Sequence, residues 1–201
     1  MDGGVGTVVP GPGFVPGNSD FTLTNIESYD NTYVYKDFGP GYFDDAFLIN
    51  FDINWINVIN SVGADTWWGV GVTTSPGTLS HMGTVTQGLA GTLQGLVTFH
   101  RAYTRDFSGG TQLGGDPSSY LDIPNVQTFY YQIERNTDIP GNDRFFFRRY
   151  TNPARTAGLF EMQHNGTFER EYRYLIFANI GVTFTGATFT ATIANIDVVS
   201  H

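Results

Sequence analysis

Between Phe47 and Asn54 the chain alternates strictly: Phe47, Ile49, Phe51 and Ile53 take every second place, with Leu48, Asn50, Asp52 and Asn54 between them. A period of two turns one apolar face and one mostly polar face to opposite sides, the pattern of a half-buried strand. Shorter runs of the same kind are predicted at Phe21–Leu23, Tyr33–Lys36, Trp67–Thr73, Leu96–Tyr103, Phe129–Arg135, Arg144–Tyr150, Arg173–Ile180 and Thr188–Val198. Glycine and proline punctuate the gaps, and no convincing stretch carries the 3.6-residue period of a helix. Many short strands without interleaved helices predict an all-β protein, an antiparallel β-sandwich, and speak against a parallel α/β enzyme fold.

At 201 residues the chain suits a single main domain, and a core of that size buries roughly 70% of the unfolded surface. There is no cysteine, so disulfides, thiol catalysis and thiolate metal sites are excluded. The net charge of −9 makes a poor partner for phosphate backbones, which argues against nucleic acid. The opening Met1-Asp2-Gly3-Gly4 has no positive charge and no apolar run after it, so no signal peptide is expected. Nor is there an uninterrupted apolar stretch of about 18 residues to span a membrane.

Residues 1–19 are rich in Gly and Pro and form a predicted arm; 20–201 form the β-sandwich domain. Proline lacks a donor and glycine costs entropy, so the arm is not expected to build a sheet of its own. It reads either as a disordered leader or as an extended arm lying on a neighbouring subunit, anchored by Val8, Val9, Phe14 and Val15. Within the domain, His164-Asn165-Gly166-Thr167 carries the Asn-Gly of a two-residue type I′ turn, which would set Glu161 opposite Arg170. The stretch Gly109–Asp116 lacks the Lys-Ser/Thr of a phosphate loop and reads as a surface loop with turns.

The second half has a cadence of aromatic strands: Phe129-Tyr130-Tyr131-Gln132-Ile133-Glu134-Arg135, then Arg144-Phe145-Phe146-Phe147-Arg148-Arg149-Tyr150, then Arg173-Tyr174-Leu175-Ile176-Phe177, closing on Ala194-Asn195-Ile196-Asp197-Val198. Together with Tyr33–Phe47 this resembles the concanavalin A-like (laminin G-like) jelly-roll superfamily, over about residues 21 to 199. The resemblance implies a lectin-like sandwich; the superfamily holds lectins, glycan-binding modules, endoglucanases and virion surface proteins, so it speaks to fold more than to activity.

Glycan binding would use exposed aromatic platforms, for which Trp67, Trp68, Tyr130 and Tyr131 are the candidates. Neighbours in a strand point to opposite faces, so at most one of each pair should be exposed. Hard oxygen ligands of the kind calcium takes are offered by Asp44, Asp45, Asp138 and Asp143, and the resemblance adds Asp197. None has EF-hand spacing, and turn formation is the favoured role of each loop. His81, His100 and His164 show no metal-ligand spacing. For glycoside hydrolysis two carboxyls about 5–5.5 Å apart are required for retention. The nearest match, Glu169-Arg170-Glu171, would put both on one strand face and reads better as a solvated charged surface. No catalytic residue and no cofactor is assigned, a structural calcium being the one ion the carboxylates would suit.

The expected function is therefore a non-enzymatic structural or interaction module, a virion surface protein such as a capsid decoration or tail accessory. Its partners would be protein subunits of the assembly or further copies of this chain. A glycan-binding adhesion module is the alternative and a glycoside hydrolase the third. The expected location is the virion surface, or outside the cell after lysis.

Overall fold

The computed structural model describes residues 7–10, 20–27, 33–59, 66–76, 87–95, 100–108, 111–114, 119–121, 127–138, 141–168, 171–179 and 188–200. The elements among them are all strands, and no helix is long and apolar enough to cross a membrane. The first sheet runs β1 (Thr7–Pro10), β2 (Phe21–Glu27), β14 (Thr188–Ser200), β4 (Phe47–Ile59), β10 (Gln127–Asn136), β11 (Asp143–Tyr150) and β12 (Phe160–Gly166). The second runs β3 (Tyr33–Asp37), β13 (Tyr174–Asn179), β5 (Thr66–Thr73), β6 (Gln87–Gly95), β7 (His100–Ser108) and β8 (Thr111–Gly114), with β9 (Ser119–Leu121) also pairing β7. Neighbouring strands are antiparallel throughout. The chain folds as the all-β antiparallel sandwich its alternation predicts.

The odd-numbered residues of β4 and β10 face inward: Phe47, Ile49, Phe51, Ile53, Trp55, Phe129, Tyr131 and Ile133 are buried. They meet Val70, Val72, Leu89, Leu93, Leu175 and Phe177 of the second sheet in one apolar core. Tyr131 stands between Phe51 and Phe147, with ring centroids 5.5 and 5.8 Å away and planes within 8° and 16°. Trp68 meets Trp55 and Tyr131 edge-on at 5.5 and 5.6 Å. Phe147 lies directly over Gly91 of β6: a Cβ on that glycine would sit 2.3 Å from the Phe147 ring. The glycine is what lets a bulky ring from one sheet reach the backbone of the other.

Four local expectations are corrected. Thr7–Pro10 of the arm is a strand after all, pairing with β2 of its own chain, with Val8 opposite Leu23 and Val9 opposite Thr22. At a sheet edge, only one side of a strand needs donors, which is where a terminal proline is tolerated. Phe14 and Val15 lie outside the described residues. Asn165-Gly166 is not a turn but the end of β12, Gly166 lying opposite Asp143 and Asn165 opposite Arg144. Glu161 accordingly pairs with Arg148 rather than Arg170; Arg170 is outside the described residues. Thr111–Gly114, read as loop, pairs with β7. Finally, the strand expected over Leu96–Tyr103 resolves into β7 from His100 onward, while the unpredicted β6 ends at Gly95; residues 96–99 are outside the described set.

Candidate glycan-binding face

The even-numbered residues of β4 and β10 point away from the core, and the register carries that polar face across four strands. Asn50 lies opposite Gln132, Gln132 opposite Arg148, and Arg148 opposite Glu161. Their side chains join in a row perpendicular to the strands. Gln132 Nε2 donates to Asn50 Oδ1 at 3.0 Å, Arg148 Nη1 donates to Gln132 Oε1 at 2.8 Å, and Arg148 Nε donates to Glu161 Oε2 at 2.5 Å. Arg148 also donates to Glu134, from the next position along β10, and its guanidinium lies 4.3 Å from the ring centroid of Phe146. Burial disfavours its charge, but the hydrogen bonds it donates to Glu134 and Glu161 outweigh that and push its pKa up. The charge is therefore permanent and central to the row.

Beside this row the face opens into a cleft of about 540 Å³, lined by Ala46, Leu48, Gln132, Glu134, Asn136 and Asp138. Its walls thus combine two carboxylates and two amides with the apolar Ala46 and Leu48. That donor and acceptor mix suits a polyhydroxylated ligand, whose hydroxyls both give and accept hydrogen bonds.

The far side of the face is braced by the connection from β11 to β12. Asn152 Oδ1 accepts from the backbone N–H groups of Thr156 and Ala157, each at 2.9 Å, folding the loop on itself. Arg155, at φ 53°, then reaches over the sheet. It donates to Asp52 Oδ1 at 2.8 Å and to the carbonyls of Tyr131 and Phe51 at 3.3 and 3.4 Å. Asp52 accepts a second bond at 2.7 Å from Asn195. Asn195 sits at φ 52° where β14 carries one residue more than β4 between Ala194 and Asp197. This bulge turns Asn195 outward and Ile196 inward, where it is buried.

Of the aromatic platforms expected, Trp68 and Tyr131 are core residues, 6% and 1% exposed; neither can stack a sugar. The burial of each follows from sheet geometry, since both stand on inward positions opposite one another across the sandwich. Tyr130 is on the outer face, half-buried, with the Arg155 guanidinium 6.0 Å from its ring centroid. The side chain of Trp67 is outside the described residues.

The five candidate metal ligands are dispersed, and among the described residues no three His, Asp or Glu side chains come together to hold an ion. Asp44 Oδ1 accepts the backbone N–H groups of Glu171 and Tyr172 at 2.5 and 3.0 Å. Asp45 is exposed, Asp138 pairs with Arg144 at 3.5 Å, and Asp197 is exposed opposite Asn50. Asp143 binds the buried Arg135 at 2.6 Å, so a guanidinium stands where a cation was expected. Glu171 is exposed in the segment before β13 at φ 78°, not on a strand face, and Glu169 is outside the described residues. His164 lies 5.6 Å from Phe168, ring to ring; the His100 side chain and His81 are outside the described set.

The polar row was not singled out in the sequence, although Asn50 sits in the alternation that opened the reading. Gln132, Glu134, Arg148 and Glu161 each occupy a polar place in a strand with an apolar opposite face. Only the register, which no single strand contains, shows that they align.

No protein-family model matches the chain, and no curated protein matches it in sequence. Solved structures do match it in fold. A legume lectin-like domain from Entamoeba histolytica is 11% identical, with TM-score 0.52, covering 98% of this chain and 90% of its own. The endo-β-1,4-glucuronan lyase of the fungus Trichoderma reesei is 10% identical, with TM-score 0.53, covering 100% and 90%. The marine PL-14 alginate lyase of Aplysia kurodai is 8% identical, with TM-score 0.52, covering 96% and 87%. The chain has the concanavalin A-like jelly-roll fold that these lectin-like and lyase proteins share.

Proposed function

We propose that this chain is a non-enzymatic, lectin-like module that binds a neutral glycan on the outer face of its first sheet. The observation that carries this is the hydrogen-bonded row Asn50–Gln132–Arg148–Glu161 running beside a cleft of about 540 Å³. A net charge of −9 favours uncharged hydroxyl-rich ligands over uronate polymers. The two glutamates at Arg148, Glu134 and Glu161, both bind the same guanidinium, an arrangement that orders a binding surface rather than presenting an acid and a base to a scissile bond. The test is calorimetric titration of soluble neutral polysaccharides (β-glucan, xyloglucan, galactomannan) into the full chain. Gln132→Ala should weaken binding about five- to tenfold, the worth of one or two hydrogen bonds. Wild-type protein that binds none of them, or a Gln132→Ala protein that binds equally well, rejects the cleft. New reducing ends or unsaturated products from these polymers or from alginate would reject the non-enzymatic assignment.

The proposed setting is the surface of an assembly, a virion capsid or tail, where the module would be carried by protein subunits. Support comes from the Gly/Pro-rich segment 11–19, with Phe14 and Val15 on it, between β1 and β2 in the sequence. Phe14→Ser with Val15→Ser, which leaves β1 in place, should keep the melting transition within a few degrees of the wild type while abolishing co-sedimentation with the assembly. Retained co-sedimentation would exclude the arm as the attachment element.

A further inference from the structure

A second group of exposed aromatics lies on the opposite sheet, at its β3 edge. The residues of β3 alternate, Val34 packing against the core while Tyr33, Tyr35 and Asp37 are exposed. Tyr33 and Tyr35 are 39% and 47% exposed, among the most exposed large rings described. Register places Asp37 opposite Tyr174 and Tyr35 opposite Ile176 on the same face of β13. The rings follow one another as a ridge: Tyr33 and Tyr35 lie 6.0 Å apart with planes tilted by 33°, and Tyr174 meets Tyr35 edge-on at 5.7 Å. At its end Arg173 grips Asp37 with two bonds, Nε to Oδ1 at 2.9 Å and Nη2 to Oδ2 at 2.5 Å, while its guanidinium lies 5.0 Å from the ring centroid of Tyr174.

We infer that the Tyr33–Tyr35 pair, bordered by Tyr174 and closed by the Asp37–Arg173 pair, is a second carbohydrate-binding site that stacks the pyranose rings of a neutral polysaccharide. Three features lead to that ligand class. The ridge is built of tyrosines, whose apolar ring faces and polar tips match the C–H face and hydroxyl rim of a sugar. A fork of carboxylate and guanidinium at one end offers acceptor and donor side by side for adjacent hydroxyls. The chain's net negative charge disfavours polyanions at either site. Hydrogen bonds from Arg173 and from the Gly39 amide hold the Asp37 carboxyl below its ordinary range, so the fork stays ionised in mildly acidic conditions. The site does not rest on the cleft of the first sheet, which uses other residues on the other face.

The experiment is affinity electrophoresis of the full chain in gels containing β-glucan, xyloglucan or galactomannan, with alginate and a polyproline peptide as contrasting probes. Tyr35→Ala and Tyr33→Ala should each lose at least fivefold in apparent affinity for a neutral polymer. Tyr35→Phe, which keeps the ring, should retain most of it, and circular dichroism should show all three folded. Gln132→Ala should leave the share of binding due to the ridge intact, and Tyr35→Ala the share due to the cleft, so each site can fail without the other. Wild-type protein retarded by none of the neutral polymers, or Tyr35→Ala retarded as strongly as wild type, overturns the inference. Loss on Tyr35→Ala of binding to polyproline alone would also overturn it, making the ridge a peptide surface.

Discussion

Asp143→Ala should lower the free energy of unfolding by about 3–5 kcal/mol, the cost of leaving a buried charge without its partner. Arg135 has a fully buried side chain, and Asp143 shows only 12% of its own to solvent. Arg135 Nε and Nη2 both donate to Asp143 Oδ2, at 3.2 and 2.6 Å, and Nη1 donates to the carbonyl of Phe43 at 3.2 Å. The rings of Phe168 and Tyr172 flank the guanidinium at 5.8 Å each. The pair therefore joins the turn end of the β10–β11 hairpin to the turn before β4. That turn is itself tied to the second sheet, because the Phe43 amide donates to the Tyr172 carbonyl at 3.1 Å. Removing only the carboxylate strands the guanidinium among aromatic rings with one carbonyl acceptor. Replacing both partners, as Arg135→Met with Asp143→Ala, removes the stranded charge and should recover much of the loss. Urea unfolding of the wild type and the two variants is the measurement. A single mutant within about 1 kcal/mol of wild type, or a double mutant less stable than the single, would show that the pair does not hold this end of the sandwich.

How this pair appears in the sequence shows where sequence reasoning stops. Asp143 stands in a polar loop-like run, Asp138-Ile139-Pro140-Gly141-Asn142-Asp143, and looks like an oxygen ligand. Arg135 ends an apolar strand and looks like a surface cap. Their attraction depends on the hairpin bringing two places eight residues apart face to face inside the core. The same holds for the polar face of the first sheet. Alternation alone sorts Phe47–Asn54 correctly into buried and outward residues, since side-chain direction in a strand is a local property. Whether Gln132 meets Arg148 or misses it by a strand is a property of register, set by turns that the sequence marks less clearly. Asn165-Gly166 has strong turn chemistry, yet it ends a strand, because continuing the ladder against Asp143 and Arg144 satisfies more backbone groups than turning would.

Glycine misled in the opposite direction. Gln87–Gly95 has three glycines and no β-branched residue but Thr92, so propensity speaks against a strand. It is nevertheless the strand between β5 and β7. Two of its glycines are explained by what faces them: the Phe147 ring occupies the space over Gly91, and Val72 O and the Thr73 side chain crowd Gly88. Propensity measured on isolated strands contains no such term, so tertiary packing reverses it. The tyrosine ridge was passed over for a related reason. Tyr33 and Tyr35 lie in a short run that reads simply as a strand, and only its place at the sheet edge leaves their rings uncovered.

Between about pH 10 and pH 12 the wild-type protein should lose roughly 3 kcal/mol of stability that Tyr131→Phe does not lose. Burial is the cause: it disfavours the phenolate and pushes the Tyr131 pKa up to about 12, against which the nearby Arg149 charge acts only in part. An unfolded tyrosine titrates near pH 10. Above that pH the unfolded chain gives up a proton that the folded chain retains, so folding is penalised progressively until the folded pKa is reached. Below about pH 10 both states are neutral and the stabilisation is fully present. Tyr131→Phe keeps the ring stacked between Phe51 and Phe147 and deletes only the ionisable oxygen, so its unfolding free energy should follow pH less steeply over this interval. Stability measured in urea at intervals from about pH 8 to pH 12 gives the two slopes. Parallel curves would mean that the phenol is hydrated in the folded state, and Tyr131 would return to contention as a surface residue. Divergent curves fix it in the core and leave sugar stacking to tyrosines on the outer faces.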